Sequence, residues 1–315
     1  MIVGKCDQGR VVLMFLAMLA FLAAFTLKIM AGIGARSGVF QQSTEDVTLK
    51  YATPISVAGW ALFVWDFIYI WVLAMFTYFL VGLCRRNVYK WMYTTPAAFP
   101  YGFHVSLTIN LCLNIVWLFL FDRELLLSAL IISALMTVSD YMILFFSCQG
   151  LRVYGGWLNK YHTVDLWLIR ILVQNGVAVF AAWETISTLL NLTIFLQHNT
   201  GVTRCDCSLL SLTLLLMELL AWFLLENFYL DEHMRYILTI YPVVILWFTG
   251  SVTNPSASTS QIYIFTVVIL AVSCVLFVAR ISLVIWRHRK RPLHDNSVPS
   301  LSPVEIALTQ RKLFM

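Results

Sequence analysis

Four carboxylates, Asp66, Asp140, Glu184 and Glu218, stand inside long apolar runs, and two of them directly follow a tryptophan, Trp65 and Trp183. An Asp at the centre of a membrane helix costs about 3 kcal/mol on insertion scales, so each acid is expected to face protein, water or a ligand. Basic partners are few, chiefly Lys28, Arg170 and the helix-end His104. Two chemistries follow. The acids meet a polar edge or cation of a bound guest, or they relay protons or ions through the membrane. Enzymatic activity is not expected, because no Ser/His/Asp, Cys/His or metal-spaced set occurs, and His104 and His162 are isolated. Cys205 and Cys207 flank Asp206 without further ligands nearby, and Cys84, Cys112, Cys148 and Cys274 fall in or at the ends of apolar runs as packing residues.

Positions three, four, seven and eleven apart share one face of an α-helix. That spacing groups Trp65, Tyr69, Val72 and Phe76, with Asp66 at the margin. It also groups Asn110, Asn114, Trp117 and Phe121, and, further on, Phe180, Trp183, Glu184, Ser187 and Asn191. Ser133, Thr137 and Asp140 form a fourth stripe, and Glu218, Trp222 and Glu226 a fifth. Lipid rejects such stripes, so they are expected to meet one another, either as packing hydrogen bonds of about 0.6 to 2 kcal/mol each or as the lining of a site. Trp183 sits at mid-span, where interfacial anchoring explains a tryptophan poorly.

The elements carrying these residues are membrane helices. The 315-residue chain is 60% hydrophobic and 12% charged, more apolar surface than a soluble core can bury. A span needs about 20 apolar residues. Eight runs qualify: 11–34, 56–84, 102–121, 124–147, 166–197, 208–229, 236–252 and 261–286, the seventh being short and carrying Pro242. The expected fold is all-α, a polytopic bundle of about eight transmembrane helices. Lys and Arg concentrate on the side holding both termini, with Lys5, Arg10, Arg85, Arg86, Lys90, Arg152, Lys160, Arg235 and the cluster Arg287, Arg289, Lys290 and Arg291. The opposite loops hold only Arg36, Lys50, Arg123 and Arg204. Both termini are therefore expected in the cytoplasm, and the net charge of +5 argues for anionic lipid headgroups at Arg287–Arg291, not nucleic acid. The tail 287–315 reads as basic and disordered, with Ser300-Leu-Ser-Pro as a flexible segment and Leu313-Phe-Met as a candidate groove ligand.

Three fragments carry a family resemblance. Gly59 to Tyr69, GWALFVWDFIY, resembles the start of the second helix in the TspO/translocator protein family. Leu113 to Phe121, LNIVWLFLF, is similar to its third-helix pattern, and Trp183 to Asn191, WETISTLLN, to its fifth, with the Trp-to-Asn spacing retained. The three stand in the family's order, and the resemblance covers roughly 10–197, most like the longer TspO-like members. It implies a five-helix membrane domain over 1–197 with an aromatic-lined pocket for flat hydrophobic molecules such as tetrapyrroles or sterols. Three additional helices would then follow over 198–286. Trp60, Trp65, Tyr69, Asn114, Trp117, Trp183 and Asn191 inherit pocket or pocket-wall roles by that route, with Asp66 and Glu184 beside them.

The expected function is binding, and with it transport or sensing, of such a molecule. Its partners are the small molecule and membrane lipids, self-association being left open. An ion-coupled carrier using the intramembrane acids is the alternative. Phe121-Asp-Arg-Glu suggests, more weakly, a heptahelical receptor, against a plain charged turn.

Overall fold

The computed structural model describes residues 7–89, 91–254, 260–293 and 302–306. Lys5, Lys90, Ser300 and the terminal Leu313-Phe-Met lie outside them. The described residues are almost entirely helical. The helices are α1 (Gln8–Ile33), α2 (Thr44–Lys50), α3 (Val64–Cys84), α4 (Tyr101–Asp122), α5 (Leu126–Tyr161), α6 (Thr163–Leu168), α7 (Gly176–Asn199), α8 (Arg204–Leu224), α9 (Asp231–Met234), α10 (Ile240–Val252) and α11 (Ser260–Lys290).

Each of the eight apolar runs holds a helix, the seventh only from Ile240 onward, and among the described residues seven helices are long and apolar enough to cross a membrane. The helix of the seventh run, α10, has 13 residues. At about 1.5 Å per residue it reaches about 20 Å, short of a hydrocarbon core of about 30 Å. It is nonetheless central. Tyr241, Val244, Trp247 and Phe248 are buried, and it packs on both α7 and α11. Its end meets the segment before α3, where Ala58 N–H donates to Gly250 O at 3.0 Å. A Cβ on Gly250 would stand 2.8 Å from Ala61 Cβ, so only glycine allows that approach.

Two features were not expected from periodicity. Helix α5 runs 36 residues, well past 147, because Leu151, Tyr154, Trp157 and Leu158 keep an apolar stripe buried beyond the span. Helices α6 and α7 form one rod interrupted by a π-helical turn, Ile169–Asn175, whose wider winding frees backbone carbonyls. Asn175 Nδ2 donates to Arg170 O and to Tyr236 O, both at 2.8 Å, and Trp71 Nε1 donates to Leu172 O at 3.1 Å. The Trp71 ring lies over Gly176, where a Cβ would come within 2.7 Å of it.

The polar stripes do meet. Tyr69 Oη donates to Asn114 Oδ1 at 3.2 Å, and Asn110 Nδ2 donates to Asp140 Oδ1 and Ser139 Oγ at 2.9 Å. Thr188 joins Ser133 at 2.7 Å and Thr137 at 3.0 Å. Across lipid each such bond is worth about 0.6 to 2 kcal/mol, so together they set which helix faces touch.

Candidate functional site

A cavity of about 230 Å³ opens between α1, α3, α4, α7 and α10 at the face that carries the α1–α3 connection. Its walls are aromatic. Trp65 stands edge-on to Trp183, ring centroids 6.1 Å apart at 78°, and Trp183 lies 4.7 Å from Trp247. Trp117 is stacked on Phe121 at 4.7 Å. Trp183 is 1% exposed, which makes it a core residue as well as a wall. The buried indole N–H groups of Trp117 and Trp183 have no acceptor among the described residues. Such unspent donors are uncommon in a packed interior and leave hydrogen-bonding capacity at the cavity.

Charge enters from three helices. Asp66 and Glu184 line the cavity with Lys28 of α1, whose Nζ sits 4.8 Å from the centroid of the Trp65 ring. Lys28 was legible in the sequence only as a nearby base, because nothing in α1 marks the face that turns to α3 and α7. Asn191 and Ser187 lie further along the same wall.

The other sequence candidates fall outside the lining. Tyr69 and Asn114 are buried and bonded to each other behind Trp65, so they support the wall. Trp60 is 45% exposed, and its Nε1 donates to Thr253 Oγ1 at 3.2 Å, tying the start of α3 to the end of α10. The four membrane acids do not form one group. Asp140 is buried against Asn110, and Glu218 is exposed beside Tyr141 and Trp222 on α8. Glu226, on the same stripe as Glu218, is buried in an ion pair with Arg280 of α11. His104 is enclosed by the rings of Phe79, Phe99 and Phe103.

Helix α2 covers the mouth of the cavity, with Thr44, Glu45 and Thr48 on the lining. Its seven residues start at a capping box in which Ser43 and Asp46 satisfy each other's backbone N–H. So short a helix needs tertiary support, and the turn after α4 supplies it. Asp122 Oδ1 accepts from Gln41 N at 2.9 Å and Gln42 N at 3.0 Å. Glu124 accepts from Gln42 Nε2 at 2.7 Å, Lys50 Nζ at 2.6 Å and Tyr51 Oη at 2.8 Å. The Asp122-Arg-Glu124 triplet is thus a clamp on the lid.

The bonds from Gln42, Lys50 and Tyr51 hold the Glu124 carboxyl down to about 2, against an ordinary value of 4.5. A depressed acid contributes its stability above the ordinary value and loses it as pH falls through the depressed one. Lid closure is therefore expected to be unchanged between pH 7 and 5 and to weaken from about pH 4 toward 2. Glu124→Ala should raise amide exchange across residues 41–51 at least tenfold at pH 7. Exchange there that is the same in the variant as in the wild type would remove the clamp.

A family model described as TSPO-like protein matches residues 14–281. The match runs beyond α7 into α11, so it takes in the helices that deliver Trp247 and Arg280. No curated protein and no solved structure gives a match.

Proposed function

Because this chain belongs to the TSPO-like protein family, we propose that it is a multi-pass membrane protein that binds a flat hydrophobic small molecule, of the tetrapyrrole or sterol class, in the cavity behind α2. The observation that carries this reading is the convergence of Trp65, Trp117, Trp183 and Trp247 with two unspent indole donors and Lys28 on one cavity. Rigid rings give a flat guest contact area at little cost in side-chain entropy, and the few polar groups orient its edge. The cavity is smaller than the ~300 to 1,000 Å³ of most drug-sized sites. A guest of tetrapyrrole size therefore enters with displacement of α2. The arginine-rich face lies on the cytoplasmic side in this reading, as the asymmetry of Lys and Arg supports.

Trp65 is the cleaner probe, being half-buried and less committed to the core than Trp183. Titration of the purified protein with protoporphyrin IX, read by tryptophan quenching, should show saturable binding that weakens at least tenfold in Trp65→Ala. Binding of equal strength in the variant would move the site elsewhere.

An ion-coupled carrier is the second reading, favoured by the grouping of Lys28, Asp66 and Glu184. The separation of Asp140 and Glu218 from that group counts against a relay that uses all four acids. Flux of the same ligand into proteoliposomes that is driven by a pH gradient and lost in Glu184→Gln would favour the carrier over passive binding.

A further inference from the structure

A second cavity, of about 620 Å³, lies at the opposite face, where the far part of α5, the π-helical turn, α9 and the end of α11 converge. Five arginines line it, Arg152, Arg170, Arg235, Arg287 and Arg291, against two carboxylates, Asp231 and Glu232. Two of the arginines are committed to the fold. Asp231 takes Arg235 at 2.7 Å and Arg287 at 2.6 Å, and Arg235 Nη1 also donates to Arg291 O at 2.6 Å. Arg170 is different. It is 6% exposed, yet among the described residues its guanidinium makes no hydrogen bond and no ion pair. Two rings flank it instead, Tyr236 at 4.0 Å and Trp167 at 5.0 Å.

Aromatic faces hold a guanidinium by its plane and leave its N–H edge free. Arg170 lines the cavity, so these N–H groups meet whatever fills it, and the planar fork of Arg suits two oxygens of one phosphoryl group. Arg152, exposed and touching His233 Nε2 at 2.8 Å, brings a second guanidinium to the same space. The rim adds exposed aromatic surface: Phe228, Tyr229 and Trp286 are 71%, 78% and 55% exposed and line the cavity.

We propose that this arginine cavity binds a phosphoryl group, with Arg170 as the buried fork and Arg152 as the outer contact. The ligand is a terminal phosphoryl group, either the phosphate monoester of a lipid headgroup whose chains lie on the rim aromatics or free phosphate. Nothing in this site touches the tryptophan cavity, so the two are separable.

The test is calorimetric titration of the full chain in neutral detergent with dioctanoyl phosphatidic acid, dioctanoylglycerol and inorganic phosphate. Saturable binding of phosphatidic acid without binding of dioctanoylglycerol is expected. Arg170→Gln should weaken it at least tenfold and Arg152→Gln several-fold, while Arg123→Gln on the lid face and Trp65→Ala leave it unchanged. Competition by inorganic phosphate identifies free phosphate as a source, and its absence assigns the site to lipid. If Arg170→Gln fails to fold, the exposed Arg152 decides by the same measure. Equal binding of dioctanoylglycerol and phosphatidic acid, no binding of either phosphate compound, or unchanged affinity in both arginine variants overturns the proposal.

Discussion

Arg280→Met is expected to destabilise the protein by about 3 to 5 kcal/mol, the usual cost of removing one member of a buried ion pair. Arg280 is fully buried within α11, where its Nε lies 3.4 Å from Glu226 Oε1. Its Nη1 donates to Asn227 Oδ1 at 2.7 Å, and its Nη2 to Met234 O at 2.9 Å. Glu226 also accepts from Trp222 Nε1 at 3.1 Å and from the Tyr241 hydroxyl. One guanidinium therefore ties α11 to a second π-helical turn, Leu225–Tyr229, which follows α8, to α9 and, through Glu226, to α10. Methionine fills similar volume but satisfies none of these acceptors, so Glu226, Asn227 and the Met234 carbonyl are left without their donor. The double variant Arg280→Met with Glu226→Gln should recover a large part of the loss, because the uncompensated charge goes with it. Thermal unfolding in mild detergent reads both. A single variant within about 1 kcal/mol of wild type would show that the pair is dispensable.

Trp183→Ala should be nearly as damaging to the fold and more damaging to binding. Truncating a buried Trp costs about 3 to 5 kcal/mol, and loss of the pairings with Trp65 and Trp247 adds to it. The void left behind merges with the cavity, so a flat guest loses a wall and gains slack at the same point. Binding of protoporphyrin IX should fall at least tenfold. Trp183→Phe separates two roles of the indole. It keeps an aromatic wall while removing the unspent N–H and part of the ring, so fold stability should fall, but by less than in Trp183→Ala. The remaining loss of affinity then reports the hydrogen bond to the guest together with the smaller stacking area. Near-wild-type stability and affinity in Trp183→Ala would mean that the ring neither fills the core nor meets a ligand.

The intrabundle stripes were legible because the 3.6-residue period is local and lipid tolerates few polar groups. Tyr69 meeting Asn114, Asn110 meeting Asp140, and Trp65 meeting Trp183 all join faces that periodicity had marked. The lid was not legible. Helix α2 is short and amphiphilic only through its contacts, and its clamp joins Gln42 and Lys50 to Glu124 across more than seventy residues of sequence. The triplet Asp122-Arg-Glu looked like a plain turn or a receptor signature because a hydrogen-bonding partner has no period. The same limit explains Trp60. The family resemblance implied a pocket or pocket-wall role for it, whereas the 3₁₀ turn Gly59–Phe63 sets its indole N–H on Thr253.

Composition and periodicity by themselves determined that this chain is an all-α membrane bundle, where its apolar runs lie and, for the five helices that carry polar stripes, which face avoids lipid. Those properties follow from the cost of exposing polar groups to hydrocarbon, which each helix meets on its own. Tertiary structure alone decided which stripes become a cavity and which become ion pairs. It brought Lys28 from the first helix and Trp247 from the tenth to one wall, sealed Arg280 onto Glu226, and left Arg170 between two rings with its donors free. Pairing between distant helices depends on how the whole bundle closes, and no local repeat in the chain encodes it.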